Sequence, residues 1–455
     1  MSAGTTAPTT ACTTALEVDP SALDASAAAR AVRDGVLTVR DVAEAVLRRV
    51  AQRDEAVRAW AHLDPEQVLA EADRLDAAPV KGLLHGVTVG VKDVIATAGM
   101  PTRHNTARYQ DSVPGVDAAC VDTLRAAGAL VVGKTTTTEF AATSVGGPTR
   151  NPHDPTRTPG GSSSGSGAAV ADLQCAIALG TQTGGSTIRP GSFNGVYAWK
   201  PTWGTISREG LKVYSVTCDT LGLYARSAHD LALLADVYRV ETDATEPPTA
   251  FAGLRVGVCR TPEWGSATPA TRDALDAAAR ALRDAGAEVV PFDLPAEYDD
   301  VYRVHRAVLR REGRAAFLNE YVTTPGLAPF FGDLVEGRPG VDANGRPAPA
   351  LGVDDYRAAY RTADALRARL DDLQQTVDVV LTPSATGEAP VGLENTGSSV
   401  FNSPWTLLQV PVVNVPGLTG PSGLPVGVSL VGRRYDDRHV IACAGLLGDL
   451  LAPAA

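Results

Sequence analysis

Gly160-Gly161-Ser162-Ser163-Ser164-Gly165-Ser166-Gly167 and, after a short apolar stretch, Gly180-Thr181-Gln182-Thr183-Gly184-Gly185-Ser186 form two serine-bearing, glycine-rich turns. Gly165 to Leu173 is small and apolar enough to start a helix directly after the first turn, and its N-terminal dipole would add positive potential there. Cys175-Ala176-Ile177-Ala178-Leu179 reads as a short buried strand that delivers the second turn. Glycine admits positive φ and lets several N–H groups converge on one point, so each turn can set a hydroxyl beside a cluster of donors. A nucleophile with an oxyanion site needs that combination.

A serine nucleophile needs a base, and the seven histidines are His62, His85, His104, His153, His229, His305 and His439. None sits in a nucleophile-like turn, and no two have the i,i+4 spacing of a metal site. Lys92 is the better candidate. In His85-Gly86-Val87-Thr88-Val89-Gly90-Val91-Lys92-Asp93 the valines alternate as in a half-buried strand, and the lysine stands where that strand ends. Lysine acts as a base only when neutral, a state that burial against apolar walls favours.

These residues resemble the amidase signature family, whose marks are a strand-end lysine, a glycine–serine segment and a second serine after a Gly-Gly pair. In that family the first serine of the Gly-Gly-Ser segment carries a cis peptide bond and precedes the nucleophile by 24 residues, the separation of Ser162 from Ser186. The resemblance implies Lys92 as base, Ser162 as bridging serine and Ser186 as nucleophile. Gly99-Met100-Pro101-Thr102, Gly133-Lys134-Thr135, Asn151-Pro152 and Lys200-Pro201-Thr202 agree with it, and the likeness runs from about Leu37 to Leu446. Many members have Asp where Gln182 stands, and here Arg189 is displaced one place. Both departures point away from the glutamine-dependent amidotransferase subunit and toward broad amidases.

The fold that the resemblance implies is α/β: a large mixed central sheet flanked by helices on both faces, with a helical N-terminal lead-in. A chain of 455 residues, 44% hydrophobic, can bury the core such a unit needs. We expect a disordered tail over 1–16 and a single domain over 17–455, divided into a lead-in (about 17–78), a signature core (about 79–240) and a C-terminal part (about 241–455). The formal net charge of −11 argues against nucleic-acid or anionic-membrane partners. Six scattered cysteines without a Cys-x-x-Cys pair indicate neither zinc nor a disulfide framework, and with no signal peptide or spanning segment the expected location is the cytoplasm.

Along the chain, Thr38-Val39-Arg40-Asp41 reads as a capping box opening a helix over about 39–52, followed by a helix at 65–76. A helix near 116–127 and the strand Leu130-Val131-Val132 continue the alternation. Later elements are a strand at 254–258, a helix at 271–285, a strand at 288–290, a helix at 354–375 and a strand at 377–381. The Pro- and Gly-rich run from Thr323 to Val353 reads as a surface excursion.

The implied chemistry is hydrolysis of a small-molecule amide through a serine acyl-enzyme, without metal or organic cofactor. The N–H groups of Thr183, Gly184, Gly185 and Ser186 would hold the oxyanion, each worth roughly 3 kcal/mol of barrier. By resemblance the substrate pocket includes Phe140, Val145, Gly146, Asn402 and Trp405, whose segments carry little charge and suit a neutral, partly apolar amide. The same apparatus can open an ester, carbamate or urea-like bond, or pass the acyl group to an amine in a biosynthetic transfer. Competing classes are an ammonia-donating glutaminase subunit of an amidotransferase and a binding protein that has lost activity. Homodimers are common among relatives, and the sequence itself leaves the oligomeric state open.

Overall fold

The computed structural model describes residues 18–78, 82–241, 246–341 and 346–452. The expected N-terminal tail and Cys12 lie outside them. In chain order the strands are β1 (Trp60–Leu63), β2 (Thr88–Lys92), β3 (Leu130–Thr135), β4 (Ile177–Gln182), β5 (Tyr197–Lys200), β6 (Thr220–Ala225) and β7 (Arg255–Val258). They continue with β8 (Glu288–Pro291), β9 (Gly340–Val341), β10 (Pro347–Ala348), β11 (Val379–Pro383), β12 (Val412–Val415) and β13 (Val428–Val431). Eleven of them make one sheet in the order β1-β3-β2-β4-β6-β5-β12-β13-β11-β7-β8, while β9 and β10 pair separately. Strand β2 runs parallel to both β3 and β4, whereas β4, β6, β5, β12 and β13 alternate in direction, so the sheet is mixed as expected.

Both faces of this sheet are covered, and alternation along single strands shows it. On β11, Val379 and Leu381 join one hydrophobic cluster while Val380 joins another. The first cluster packs under the helices Ala119–Ala126, Ala228–Val237, Pro269–Asp284 and Asp437–Leu451; the second receives Ser164–Ala171, Val301–Ala316 and Val353–Leu373. The lead-in helices Val39–Val57 and Pro65–Asp76 pack on Leu130 and Val132 of β3. The capping box forms: Thr38 Oγ1 accepts the Asp41 N–H at 3.0 Å and the Asp41 carboxylate accepts the Thr38 N–H at 2.8 Å.

Two readings from sequence change. Strand β2 is not half-buried, because every residue from Thr88 to Lys92 is enclosed between β3 and β4 and beneath helices. The apparently polar face is internal, and Thr88 Oγ1 accepts the N–H of Ala176 at 3.0 Å. The excursion from Thr323 to Val353 also contains a helix, Pro329–Glu336, which buries Phe331 and Leu334 in the second cluster. Pro329 in the first turn and left-handed Gly337 just past its end are the usual signals for that start and stop.

Candidate active site

Lys92 closes β2 and is fully buried. Its Nζ lies 2.8 Å from Ser162 Oγ, 2.9 Å from Ser163 Oγ and 2.7 Å from Thr181 Oγ1. Three neutral hydroxyls surround the amine, and among the described residues no carboxylate is within ion-pair distance. Burial holds the amine's pKa well below the ordinary lysine value, opposed in part by the negative charge of Asp219.

The parallel register explains how these groups meet. Val91 sits opposite Leu179, so the end of β2 reaches the level of Thr181 near the end of β4. Ser162 and Ser163 arrive from above, at the start of the helix Ser164–Ala171, with a cis peptide between Gly161 and Ser162. Gly180 and Gly222, paired across β4 and β6, leave the floor flat. A Cβ on Gly180 would stand 2.7 Å from Ser163 Oγ, and one on Gly222 would overlap Thr187. Sequence alone suggests positive φ for the glycines of the two turns, but only Gly160 has it (φ 82°). Close approach excludes a Cβ at several others: side chains of Thr396 and Asn402 at Gly161 and Gly185, and the backbone of Ala59 and Thr136 at Gly165.

Ser186 comes to the same place through its backbone. Its carbonyl accepts the Ser163 N–H at 3.4 Å and the Tyr224 hydroxyl at 3.2 Å. Its own hydroxyl makes no hydrogen bond among the described residues, so Lys92 and Ser162 are in direct contact while Ser186 is their neighbour across the turn. From Thr183 to Ser186 every carbonyl is occupied: by His305 Nε2 at 2.8 Å, by Thr406 Oγ1 at 2.6 Å, by the Arg189 N–H at 3.1 Å, and by Ser163 and Tyr224. The N–H groups of the same four residues bond to no described residue.

The helix that follows, Ile188–Asn194, is held at its start by Gln182, whose Oε1 accepts the N–H groups of Thr187 and Ile188 at 2.9 and 3.0 Å. Arg189, buried with its pKa lowered to about 10 by desolvation, donates from Nη2 to the Gly161 carbonyl at 2.5 Å. The displaced arginine therefore braces the residue just before Ser162.

A family model described as Amidase matches residues 41–441. The chain belongs to the amidase family. Relatives include a subunit of the glutamyl-tRNA(Gln) amidotransferase from Synechococcus sp., 30% identical with 91% of this chain and 94% of that protein covered. Among solved structures, one described as an amidase superposes with a TM-score of 0.82 at 32% identity, covering 93% of this chain and 99% of its own. The peptide amidase of Stenotrophomonas maltophilia gives a TM-score of 0.75 at 28% identity, over 94% and 96%.

Residues proposed from this amidase sequence as pocket walls have different surroundings. Asn402 packs on Gly185, and Gly146 lies near Thr396 and Ser164 beside the first turn. Phe140 and Trp405 are instead buried in the second core cluster, where Phe140 meets Phe317 and Phe331, and Val145 is exposed. His104 stacks on Phe140 and burial lowers its pKa to about 4; His85 is buried against Gly128. Among the described residues no cluster of three His, Cys, Asp or Glu could hold a metal, and no helix is long and apolar enough to cross a membrane.

Sequence reasoning missed Thr181, Asp219, His305 and Thr406. Thr181 stands within the second quoted turn, but only strand register reveals its contact with Lys92, and Asp219, His305 and Thr406 come from elements further along the chain that no motif marks. Asp219 precedes β6, accepts the Tyr214 N–H at 2.7 Å, and has its pKa raised to about 6 by burial. Its charge is the one that acts on Lys92.

Proposed function

We propose that this amidase hydrolyses a small-molecule amide, with Ser186 as nucleophile, Ser162 as proton relay and Lys92 as base. The carrying observation is a buried amine whose partners are three hydroxyls. A neutral amine has two N–H groups and one lone pair. Ser163 Oγ already accepts the Thr181 N–H at 3.3 Å and faces the Thr181 carbonyl at 3.3 Å, so with one Lys92 N–H its valences are full. Thr181 Oγ1 takes the second N–H, and the lone pair remains for the Ser162 hydroxyl proton. That leaves a lone pair of Ser162 Oγ to receive the proton of Ser186.

In the reaction, the Ser186 Oγ–carbon bond forms as its proton passes to Ser162 and that of Ser162 passes to Lys92. The resulting ammonium has three N–H groups facing three hydroxyls. The oxyanion lies against the unoccupied N–H groups of the Thr183–Ser186 turn. Return of the proton through Ser162 to the leaving nitrogen accompanies C–N cleavage, and water then attacks the acyl-enzyme along the same path.

The side chains that face Gly184 and Gly185, namely Ser399, Asn402, Ser403 and His305, are uncharged at neutral pH, which supports a neutral amide substrate; the charge of Asp219, at Thr183, is directed to Lys92. Mass spectrometry of acyl-enzyme trapped from a mixed amide pool tests nucleophile and acyl preference together. Acylation elsewhere than Ser186 overturns the roles, and turnover of strongly charged amides alone overturns the substrate class.

The names of relatives such as the Synechococcus protein favour a second reading, an ammonia-donating component of an amidotransferase. It requires that glutamine hydrolysis rise sharply on adding a partner protein, whereas the isolated chain should turn over simple amides. A cytoplasmic location completes the proposal. Its support is that Cys120, Cys175, Cys218, Cys259 and Cys443 are buried free thiols, as a reducing compartment keeps them.

A further inference from the structure

A peptide unit is planar, with its carbonyl and the following N–H pointing in opposite directions. Whatever grips the carbonyl of Thr183 therefore aims the N–H of Gly184, and whatever grips the carbonyl of Gly184 aims the N–H of Gly185. Glycine backbones rotate freely, so at these two positions aim has to come from outside the turn. Both grips are side chains from the C-terminal half of the chain. His305, buried in the helix Val301–Ala316, meets the Thr183 carbonyl through Nε2 at 2.8 Å. Thr406, in the helix Ser403–Leu407, donates from Oγ1 to the Gly184 carbonyl at 2.6 Å.

We propose that His305 and Thr406 are positioning residues that set the oxyanion turn, His305 aiming the N–H of Gly184 and Thr406 that of Gly185. The inference rests on the assignment of Ser186 as nucleophile made above.

The partner decides the tautomer of His305. A carbonyl only accepts, so Nε2 carries the proton and Nδ1 the lone pair. Burial lowers the imidazole pKa to about 3, so this neutral donor is the form present at neutral pH. Its ring also lies against the turn, where a Cβ on Gly184 would come within 3.6 Å of His305 Cε1. Thr406 is itself fixed. Gln182 Nε2 donates to Thr406 Oγ1 at 3.0 Å, filling a lone pair and leaving the single hydroxyl proton for carbonyl oxygens. Besides Gly184, the Asn402 carbonyl lies 3.1 Å away. Gln182 meanwhile holds the N–H groups of Thr187 and Ile188 through Oε1. One amide side chain thus joins both ends of the turn, accepting on one side and donating on the other. A carboxylate in its place would compete for the Thr406 proton.

The test compares His305→Leu, His305→Gln, Thr406→Val and Thr406→Ser, with Ser186→Ala as reference. Each is measured for kcat, KM, fluorophosphonate labelling rate, thermal midpoint and affinity for a trifluoromethyl ketone, whose tetrahedral adduct carries an oxyanion. We expect His305→Leu and Thr406→Val to lower kcat by roughly tenfold to a hundredfold with KM within about twofold, and to weaken ketone binding by a similar factor. His305→Gln and Thr406→Ser, which keep a donor, should recover most of both. Equal loss in the Leu and Gln variants, or ketone affinity unchanged in the Leu and Val variants, overturns the inference. If the Leu variant fails to fold, the Val and Ser pair decides it alone. Labelling that survives in Ser186→Ala would instead show that the nucleophile assignment has failed, a result separable from the other two.

Discussion

Thr181 Oγ1 lies 2.7 Å from Lys92 Nζ, closer than either serine hydroxyl. A protonated Lys92 has three N–H groups for three hydroxyls, a neutral one only two. Removing one acceptor therefore penalises the ammonium more. Thr181→Val should lower the Lys92 pKa, moving the acid limb of kcat/KM to lower pH, and reduce the plateau roughly tenfold because the base is weaker. A pH–rate profile with an unmoved limb would contradict the three-acceptor account.

Asp219 provides a second control on the same limb. The base works when neutral, so activity rises with pH as Lys92 loses its proton, with a midpoint below the ordinary lysine value of 10.5. Above about pH 6 Asp219 is ionised and favours the ammonium. Asp219→Asn should therefore shift the limb to lower pH, and the shift is read from kcat/KM profiles of the two proteins.

Ser162 and Ser163 touch the same amine, yet their substitutions should differ. The valences of Ser163 Oγ are filled by Lys92 and by the backbone of Thr181, whereas Ser162 keeps capacity for a further bond. Ser162→Ala should cost several orders of magnitude in kcat, roughly 10³-fold or more, and Ser163→Ala far less. Steady-state kinetics on one amide substrate distinguish them.

Arg189 donates to the carbonyl of Gly161, immediately before Ser162. Arg189→Met keeps most of the buried volume and removes the donor. The Gly161 carbonyl would lose a charge-assisted bond, of order 2 kcal/mol, and Ser162 its brace. We expect slower acylation with substrate affinity little changed, measured as the single-turnover rate.

Gly222 faces Thr187 across a gap that a methyl group cannot enter. Gly222→Ala should destabilise the protein by about 1–3 kcal/mol through overpacking, measured by urea denaturation, and should displace the start of the helix behind Ser186. Gly204, where a Cβ meets nothing within 4 Å, has positive φ (83°), so alanine there would report backbone strain instead.

The local elements near the site were readable because local physics made them. The capping box at Thr38, the strand ending at Lys92 and the helix after Ser163 each follow from residues adjacent in the chain. The helix Pro329–Glu336 shows the limit of that reading: its Pro start and Gly stop were visible but submerged in a Pro- and Gly-rich run, and burial of Phe331 is what makes it a helix.

By itself the sequence carried the motifs that resemble the amidase signature family, because turn chemistry, strand-end placement and spacing are written in the chain order, and through that resemblance it implied the mixed α/β architecture and the three residues around which a catalytic proposal can be built. Only the tertiary structure decided what surrounds the amine and the turn. Thr181 meets Lys92 through the register of two parallel strands, and His305 and Thr406 reach across more than a hundred positions to grip carbonyls that look alike in sequence. Hydrogen bonding to a backbone carbonyl leaves no motif behind, since any donor that folding brings within reach will serve.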